Sequence, residues 1–340
     1  MKFSAWGSLK EQLAKQPPVV KQDLTGKTVC VLGANAGIGF QACKHLATMN
    51  PARMILACRS ESRGQAAVDK LRAETGYTKA KLWLIDLSDF ASVKRFGDQF
   101  EKDGGRLDIL IANAAMENRK YAETKDGWEI TVQVNHLSTA YTVLLLLPTM
   151  LRTAQEHGTL PRITLVSSDL HHMVTIDKEV RAHPGRILET LASPAYCAKR
   201  MDTHYSMTKL LNIFFVRELN ARLGPAAPLI VNLANPGFSV SELRREIKGT
   251  QGALLAVLEK LFAYTTEEGA RRVLWPALAL PNNPDALRGQ YTGHGGPVEP
   301  SDFVIGEEGK QVQKGVWEET MAILERLDSR ILTTVDRFLS

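Results

Sequence analysis

The segment Thr28-Val29-Cys30-Val31-Leu32-Gly33-Ala34-Asn35-Ala36-Gly37-Ile38-Gly39 decides the fold. Its first five residues are apolar or β-branched and read as a buried strand. Glycines at 33, 37 and 39 then permit a sharp turn, and the amphipathic stretch 39–49 reads as a helix. A strand, a glycine-rich turn and a helix in that order make an anion site, because the first N–H groups of the helix point into the turn. Gly33, Asn35, Gly37, Ile38 and Gly39 are therefore the expected contacts to a dinucleotide.

Outward from this segment the same alternation repeats. Strands are expected at 28–32, 53–58, 81–85, 107–112, 162–166 and 229–233, with helices near 39–49, 61–74, 90–102, 127–151 and 205–223. Such alternation predicts an α/β protein, a doubly wound parallel sheet of the Rossmann type covered on both faces. No linker divides it, so one Rossmann-type domain is expected over 27–300, with substrate-side helices at 241–279 and a C-terminal segment, 301–340, closing with a helix at 317–338. Residues 1–26 form a polar extension with Phe3, Trp6, Leu9 and Leu13 at near-helical spacing before Pro17-Pro18. Docking on the body is the expectation for it, peripheral membrane contact the alternative.

The chain has 340 residues, 44% hydrophobic and 23% charged, enough for a large core. Its formal charge of +5 is not gathered into basic blocks, so no nucleic-acid partner is expected. Cys30, Cys43, Cys58 and Cys197 lack metal-ligand spacing, and no apolar leader precedes Glu11. Leu137 to Leu151 is too short, and carries Pro148, for a spanning helix. A cytoplasmic protein is expected.

The second strand ends in Ala57-Cys58-Arg59. An acid there would suit a ribose hydroxyl, whereas Arg59 suits a 2′-phosphate through a charge-assisted contact, with Arg63 as helper. NADP(H) is the expected cofactor. Tyr-x-x-x-Lys occurs three times, at Tyr77 to Lys81, Tyr121 to Lys125 and Tyr205 to Lys209. Only the third falls on a helix with an apolar stripe, Met207, Leu210, Leu211 and Phe214, which puts Tyr205 and Lys209 one turn apart on the other face. A tyrosine with a pKa of about 10 is a poor proton shuttle, and an adjacent ammonium brings it toward neutrality. Ser168, at the end of the fifth strand, is the candidate to bond the reacting oxygen, with Ser167 as its neighbouring alternative. Asn135 is an amide inside an apolar helix, either a satisfied core group or a functional one.

Together Gly33 to Gly39, Asp86-Leu87, Leu107 to Ala115, Asn135, Val166 to Ser168, Tyr205 to Lys209 and Asn235-Pro236-Gly237 resemble the short-chain dehydrogenase/reductase family, over roughly residues 25–300. The resemblance implies that Asp86 and Leu87 flank an adenine and that Asn113 supports the nicotinamide side. It implies that Lys209 also holds the nicotinamide ribose and that Asn135 takes part in a proton relay to Lys209. Pro236, Gly237 and Ser241 would close over the carboxamide and diphosphate. Ala57 to Ser60, Val134 to Leu137 and Thr266 to Ala270 look like the retinol dehydrogenase and WW-domain oxidoreductase branch, fungal members included, which implies NADP and a lipophilic carbonyl or alcohol.

Departures matter as well. Leu32 stands for the usual Thr, and Ala112-Asn113-Ala114-Ala115 for Asn-Asn-Ala-Gly, which removes side-chain bonds from the cofactor loop. Ser168 and Tyr205 are 37 positions apart, and the insertion 170–203, with His171-His172, Arg181, His183 and Arg200, is expected to form a lobe beside the substrate. Adjacent histidines diverge, so no metal is expected. Phe238, Leu254, Leu255, Leu258, Leu261, Phe262 and Tyr264 suggest either an apolar substrate wall or the core face of one helix. The leading expectation is a carbonyl–alcohol oxidoreductase on a hydrophobic small molecule, in secondary-metabolite biosynthesis or in detoxification of lipid aldehydes. A cofactor-binding regulator without turnover is the alternative from another class. The oligomeric state is left open.

Overall fold

The computed structural model describes residues 12, 14–240, 259–279 and 283–339. Its centre is a seven-stranded parallel sheet in the order β3-β2-β1-β4-β5-β6-β7. The strands are β1 (Thr28–Leu32), β2 (Arg53–Cys58), β3 (Ala80–Leu84), β4 (Ile109–Ala112), β5 (Arg162–Val166), β6 (Ile230–Ala234) and β7 (Tyr291–Thr292). The last is only two residues, pairing Leu233 with Tyr291 and Ala234 with Thr292, too short to leave a periodic signal in sequence.

Alternation along each strand divides the core in two. Cys30 and Leu32 enter one apolar cluster, Val29 and Val31 the other; Leu110 and Ala112 oppose Ile109 and Ile111 in the same way. On one face lie α1 (Gly37–Ala47) and α2 (Glu61–Thr75). The other face carries α3 (Phe90–Lys102), α4 (Ser138–His157) and α5 (Met201–Leu223). Further along the chain come α6 (Thr266–Leu278), α7 (Glu307–Leu327) and α8 (Arg330–Phe338).

Several boundaries depart from the sequence reading for physical reasons. The helical run that includes α4 extends over Ile130–His157, 28 residues with mean hydropathy 1.3 in its best window, long and apolar enough to cross a membrane. That window is 94% buried inside the protein, so its apolarity serves the core. The final helix is two helices: the backbone extends at Asp328, whose carboxylate accepts the Tyr141 hydroxyl at 2.9 Å and pairs with Arg330. α6 packs against α1 and the sheet through Ala270, Val273, Leu274, Ala277 and Leu278, so this part of 241–279 is a core layer.

The insertion 170–203 is not a free lobe. It folds into short helices whose Val180, Ile187, Leu188, Leu191 and Tyr196 join the larger core cluster. Buried Glu319 of α7 accepts the Leu188 and Glu189 N–H groups at 2.9 and 3.0 Å, capping the helix Ile187–Ala192. The described part of the N-terminal extension docks on the body: Leu24 is buried, Gln16 bonds His294 at 3.1 Å, and Gln22 bonds the Leu278 carbonyl. Phe3, Trp6, Leu9 and Leu13 lie outside the described residues.

Candidate active site

Beyond the carboxyl ends of the strands lies a cleft of about 870 Å³. One end is the glycine turn, where Gly33 and Gly37 have φ of +73° and +55°, conformations that side chains disfavour. Gly39 is required for a different reason: a Cβ there would sit 2.3 Å from the Gly33 carbonyl oxygen and 2.7 Å from Asn113 Nδ2. The start of α1 thus presses on the strand end. Asn113 Nδ2 donates to the Leu32 and Gly33 carbonyls at 3.3 and 3.2 Å. These bonds tie the turn to β4, where the replacements at Leu32 and Ala112 had suggested a looser loop.

Arg59 and Arg63 line the same end of the cleft, both exposed, with Ser60 between them capping α2. Asp86 and Leu87 line it too; the Asp86 carboxylate accepts the Ser88 N–H and hydroxyl at 2.9 and 2.6 Å.

At the opposite end Ser168, Tyr205 and Lys209 come together. Lys209 is 2% exposed, and its Nζ donates to the Val166 carbonyl at 2.8 Å. Burial pushes its ammonium down to about 7. Lys209 Nζ lies 5.4 Å from the centre of the Tyr205 ring. The two candidate serines separate cleanly: Ser167 is buried and donates its hydroxyl to the Lys209 carbonyl at 3.1 Å, so it is a structural tie. Ser168 Oγ accepts the Leu170 N–H at 3.2 Å, and among the described residues no protein acceptor claims its proton. His171 backs Ser168. Its Nε2 accepts the Ser301 N–H at 3.1 Å, which leaves the ring proton on Nδ1, 2.7 Å from the Ser168 carbonyl. Burial holds this imidazole down at about 4.

The other two Tyr-Lys spacings lead elsewhere: Tyr77 bonds the Pro51 carbonyl at 2.9 Å and Tyr121 the Glu123 carboxylate at 3.1 Å.

A sequence profile described as short chain dehydrogenase matches residues 27–180. Over 332 residues the chain is 33% identical to the short-chain dehydrogenase anuD of Penicillium roqueforti, covering 95% of this chain and 84% of that one. The chain belongs to the short-chain dehydrogenase/reductase family. The short chain dehydrogenase/reductase dmxR8 of Cryptosporiopsis sp. is 32% identical over 95% of this chain and 97% of its own. The WW domain-containing oxidoreductase of Gallus gallus is 34% identical over 79% of this chain and 62% of its own, as the branch resemblance implied. Salutaridine reductase of Papaver somniferum shares the fold at TM-score 0.58 and 20% identity, over 78% of this chain and 99% of that structure. Members of this family are oxidoreductases that use a nicotinamide cofactor.

Several features of this short-chain dehydrogenase were not visible in its sequence. Tyr205 does not start its helix but sits in the second turn of α5, and Ser206 to Val216 are all buried, so the middle of α5 has no solvent-exposed face. Asn135 stands behind the cleft wall, in a π-helical turn at Gln133–Leu137. Its Nδ2 donates to the Met116 carbonyl at 2.8 Å and to Thr208 Oγ1 at 3.0 Å, and its Oδ1 accepts the Met116 N–H at 2.8 Å. Both amide donors are spent on positioning. Pro236 and Gly237 line the cleft, with Gly237 at φ +71° beneath the Tyr264 ring; Ser241 lies outside the described residues.

Of the expected apolar wall, Phe238 and Phe262 line the cleft, and Leu254, Leu255 and Leu258 lie outside the described residues. Tyr264 is buried instead, over Arg272. From the insertion only Leu170 and Met173 reach the cleft. Gln12, Met116, Glu117 and Met173 also line it. None belongs to a motif; only the fold brings them there. His171 has both ring nitrogens engaged, and among the described residues no group of three or more potential ligands gathers for a metal.

Proposed function

We propose that this short-chain dehydrogenase is an NADP(H)-dependent enzyme that interconverts a carbonyl and an alcohol on a hydrophobic small molecule. The carrying observation is that one cleft joins the glycine turn and Arg59 at one end to Tyr205, Lys209 and Ser168 at the other. The site fits a dinucleotide: the crowded Gly39 position and the two left-handed glycines give a close backbone approach for a pyrophosphate. Arg59 and Arg63 would hold a 2′-phosphate, Asp86 and Leu87 the adenine side, and Asn113, Pro236 and Gly237 the nicotinamide side. The NADP complex of Pseudomonas aeruginosa RhlG, of the same fold at TM-score 0.60, is consistent with that fit.

When bound, NADPH supplies the hydride. The remaining steps belong to the protein. Ser168 donates its hydroxyl proton as a hydrogen bond to the substrate oxygen, and His171, locked by Ser301, keeps the Ser168 backbone in place. Tyr205 delivers a proton to that oxygen as the alcohol forms. Lys209, held by Val166, favours the phenolate that remains. Asn135 orders the wall through Met116 and Thr208, which leaves its side-chain amide no free donor for a relay.

Met116, Leu170, Met173, Phe238 and Phe262 give the substrate end an apolar lining, which favours a lipophilic substrate. By resemblance to fungal members the setting is secondary-metabolite biosynthesis, with clearance of lipid-derived aldehydes as the rival. The test is oxidation of NADPH and of NADH over a panel of hydrophobic ketones and aldehydes. Turnover with NADPH that disappears in Tyr205→Phe is expected; tight NADPH binding with no turnover on any substrate would favour a regulator.

A further inference from the structure

Glu129 and His204 form a pair that the chemistry above leaves unused. Both side chains are wholly buried. Oε2 of Glu129 accepts from His204 Nε2 and from the Thr131 and Val132 N–H groups, each at 2.9 Å. Oε1 accepts the Thr131 hydroxyl at 3.0 Å. Burial pushes this carboxyl up, but the His204 bond and the two backbone N–H groups outweigh it and hold it below the usual range. Glu129 is therefore a buried anion, tolerable only because its lone pairs are met.

His204 Nδ1 is buried and, among the described residues, has no hydrogen-bond partner. The ring is therefore anchored through its Nε2 proton. That proton is committed to Glu129. The nearby Cys197 thiol, 3.9 Å from Nε2, donates to the Leu191 carbonyl.

The pair matters through its place in the chain. His204 precedes Tyr205, and successive side chains on a helix diverge by about 100°. His204 thus reaches the start of the Ile130–His157 helical run while Tyr205 reaches the cleft. One turn later Asn135 bonds Thr208, whose hydroxyl returns to the Tyr205 carbonyl at 2.7 Å. Two ties from one run of helix flank Tyr205.

We infer that Glu129 and His204 are a positioning pair, fixing the rotation of α5 at Tyr205 and so the aim of its phenol, without touching substrate or cofactor. This rests on the reading of Tyr205 as the proton donor.

The experiment measures kcat and KM with NADPH over the ketone and aldehyde panel, together with NADPH affinity by fluorescence titration. His204→Ala is expected to lower kcat by roughly 10- to 100-fold while KM and NADPH affinity hold within about twofold. His204→Gln, whose Nε2 reaches the same carboxylate, restores most of the rate. If His204→Ala does not fold, His204→Met, which fills the space without a donor, takes its place. Unchanged kcat, an equal loss in KM and NADPH affinity, or failure of His204→Gln to restore the rate would each overturn the pair's role. Tyr205→Phe runs alongside. Turnover surviving in Tyr205→Phe removes the functional reading itself; turnover lost there but intact in His204→Ala removes only the pair.

Discussion

At the scale of single residues, two positions carry the cofactor argument by different physics. Gly39 acts by absence: an added methyl meets the Gly33 carbonyl oxygen and the Asn113 amide, neither of which is free to move. Overpacking of this kind costs about 1–3 kcal/mol. Gly39→Ala is expected to weaken NADPH binding by roughly tenfold or more, measured by fluorescence titration. Arg59, exposed and lining the cleft, would act by charge in the proposed NADP(H) site. A charge-assisted bond contributes about 1.5–3 kcal/mol, so Arg59→Ala should raise the NADPH dissociation constant roughly 10- to 100-fold and leave that of NADH nearly unchanged. A variant that keeps its preference for NADPH would remove Arg59 from the 2′-phosphate.

At the scale of elements, the insertion and α7 depend on each other. The helix Ile187–Ala192 is too short to hold by itself, and its first N–H groups find their acceptor in the Glu319 carboxylate. Burial pushes that carboxyl up against the pull of these same bonds. Glu319→Ala orphans the two N–H groups and should destabilise the protein by about 1–3 kcal/mol in urea unfolding, while Glu319→Gln, which keeps an acceptor, loses less. The spacing of Ser168 and Tyr205 revealed that an insertion exists. That it leans on α7 was not legible, because Glu319 lies 130 or more residues away and carries no local signal.

For the whole molecule, two of the buried imidazoles, His136 and His171, contribute to the response to acid. Burial holds His136 at about 3 and His171 at about 4, both far below the ordinary 6.5. Between those values and 6.5 the unfolded chain binds protons that the folded one refuses, so stability falls as pH drops through this window. Lys209, pushed down to about 7 from 10.5, acts above it: its contribution to stability rises with pH between those two values. The urea midpoint should therefore be lower at pH 5 than at pH 7. A flat midpoint would mean that these imidazoles are not held neutral.

The sequence by itself determined the parallel sheet, the glycine turn and the Tyr205–Lys209 spacing. Each is a local pattern: strand runs buried on both faces, φ angles that only glycine accepts readily, and one turn of helix. It also singled out the third of three identical spacings, since only that one falls on a helix. Tertiary structure alone tied the Ser167 hydroxyl to the Lys209 carbonyl, spent the Asn135 amide on Met116 and Thr208, and joined Glu129 to His204. These contacts link residues between 19 and 75 positions apart. The physical reason is that a hydrogen bond acts over about 3 Å in space, and no periodicity along the chain records which distant group the fold will bring that close.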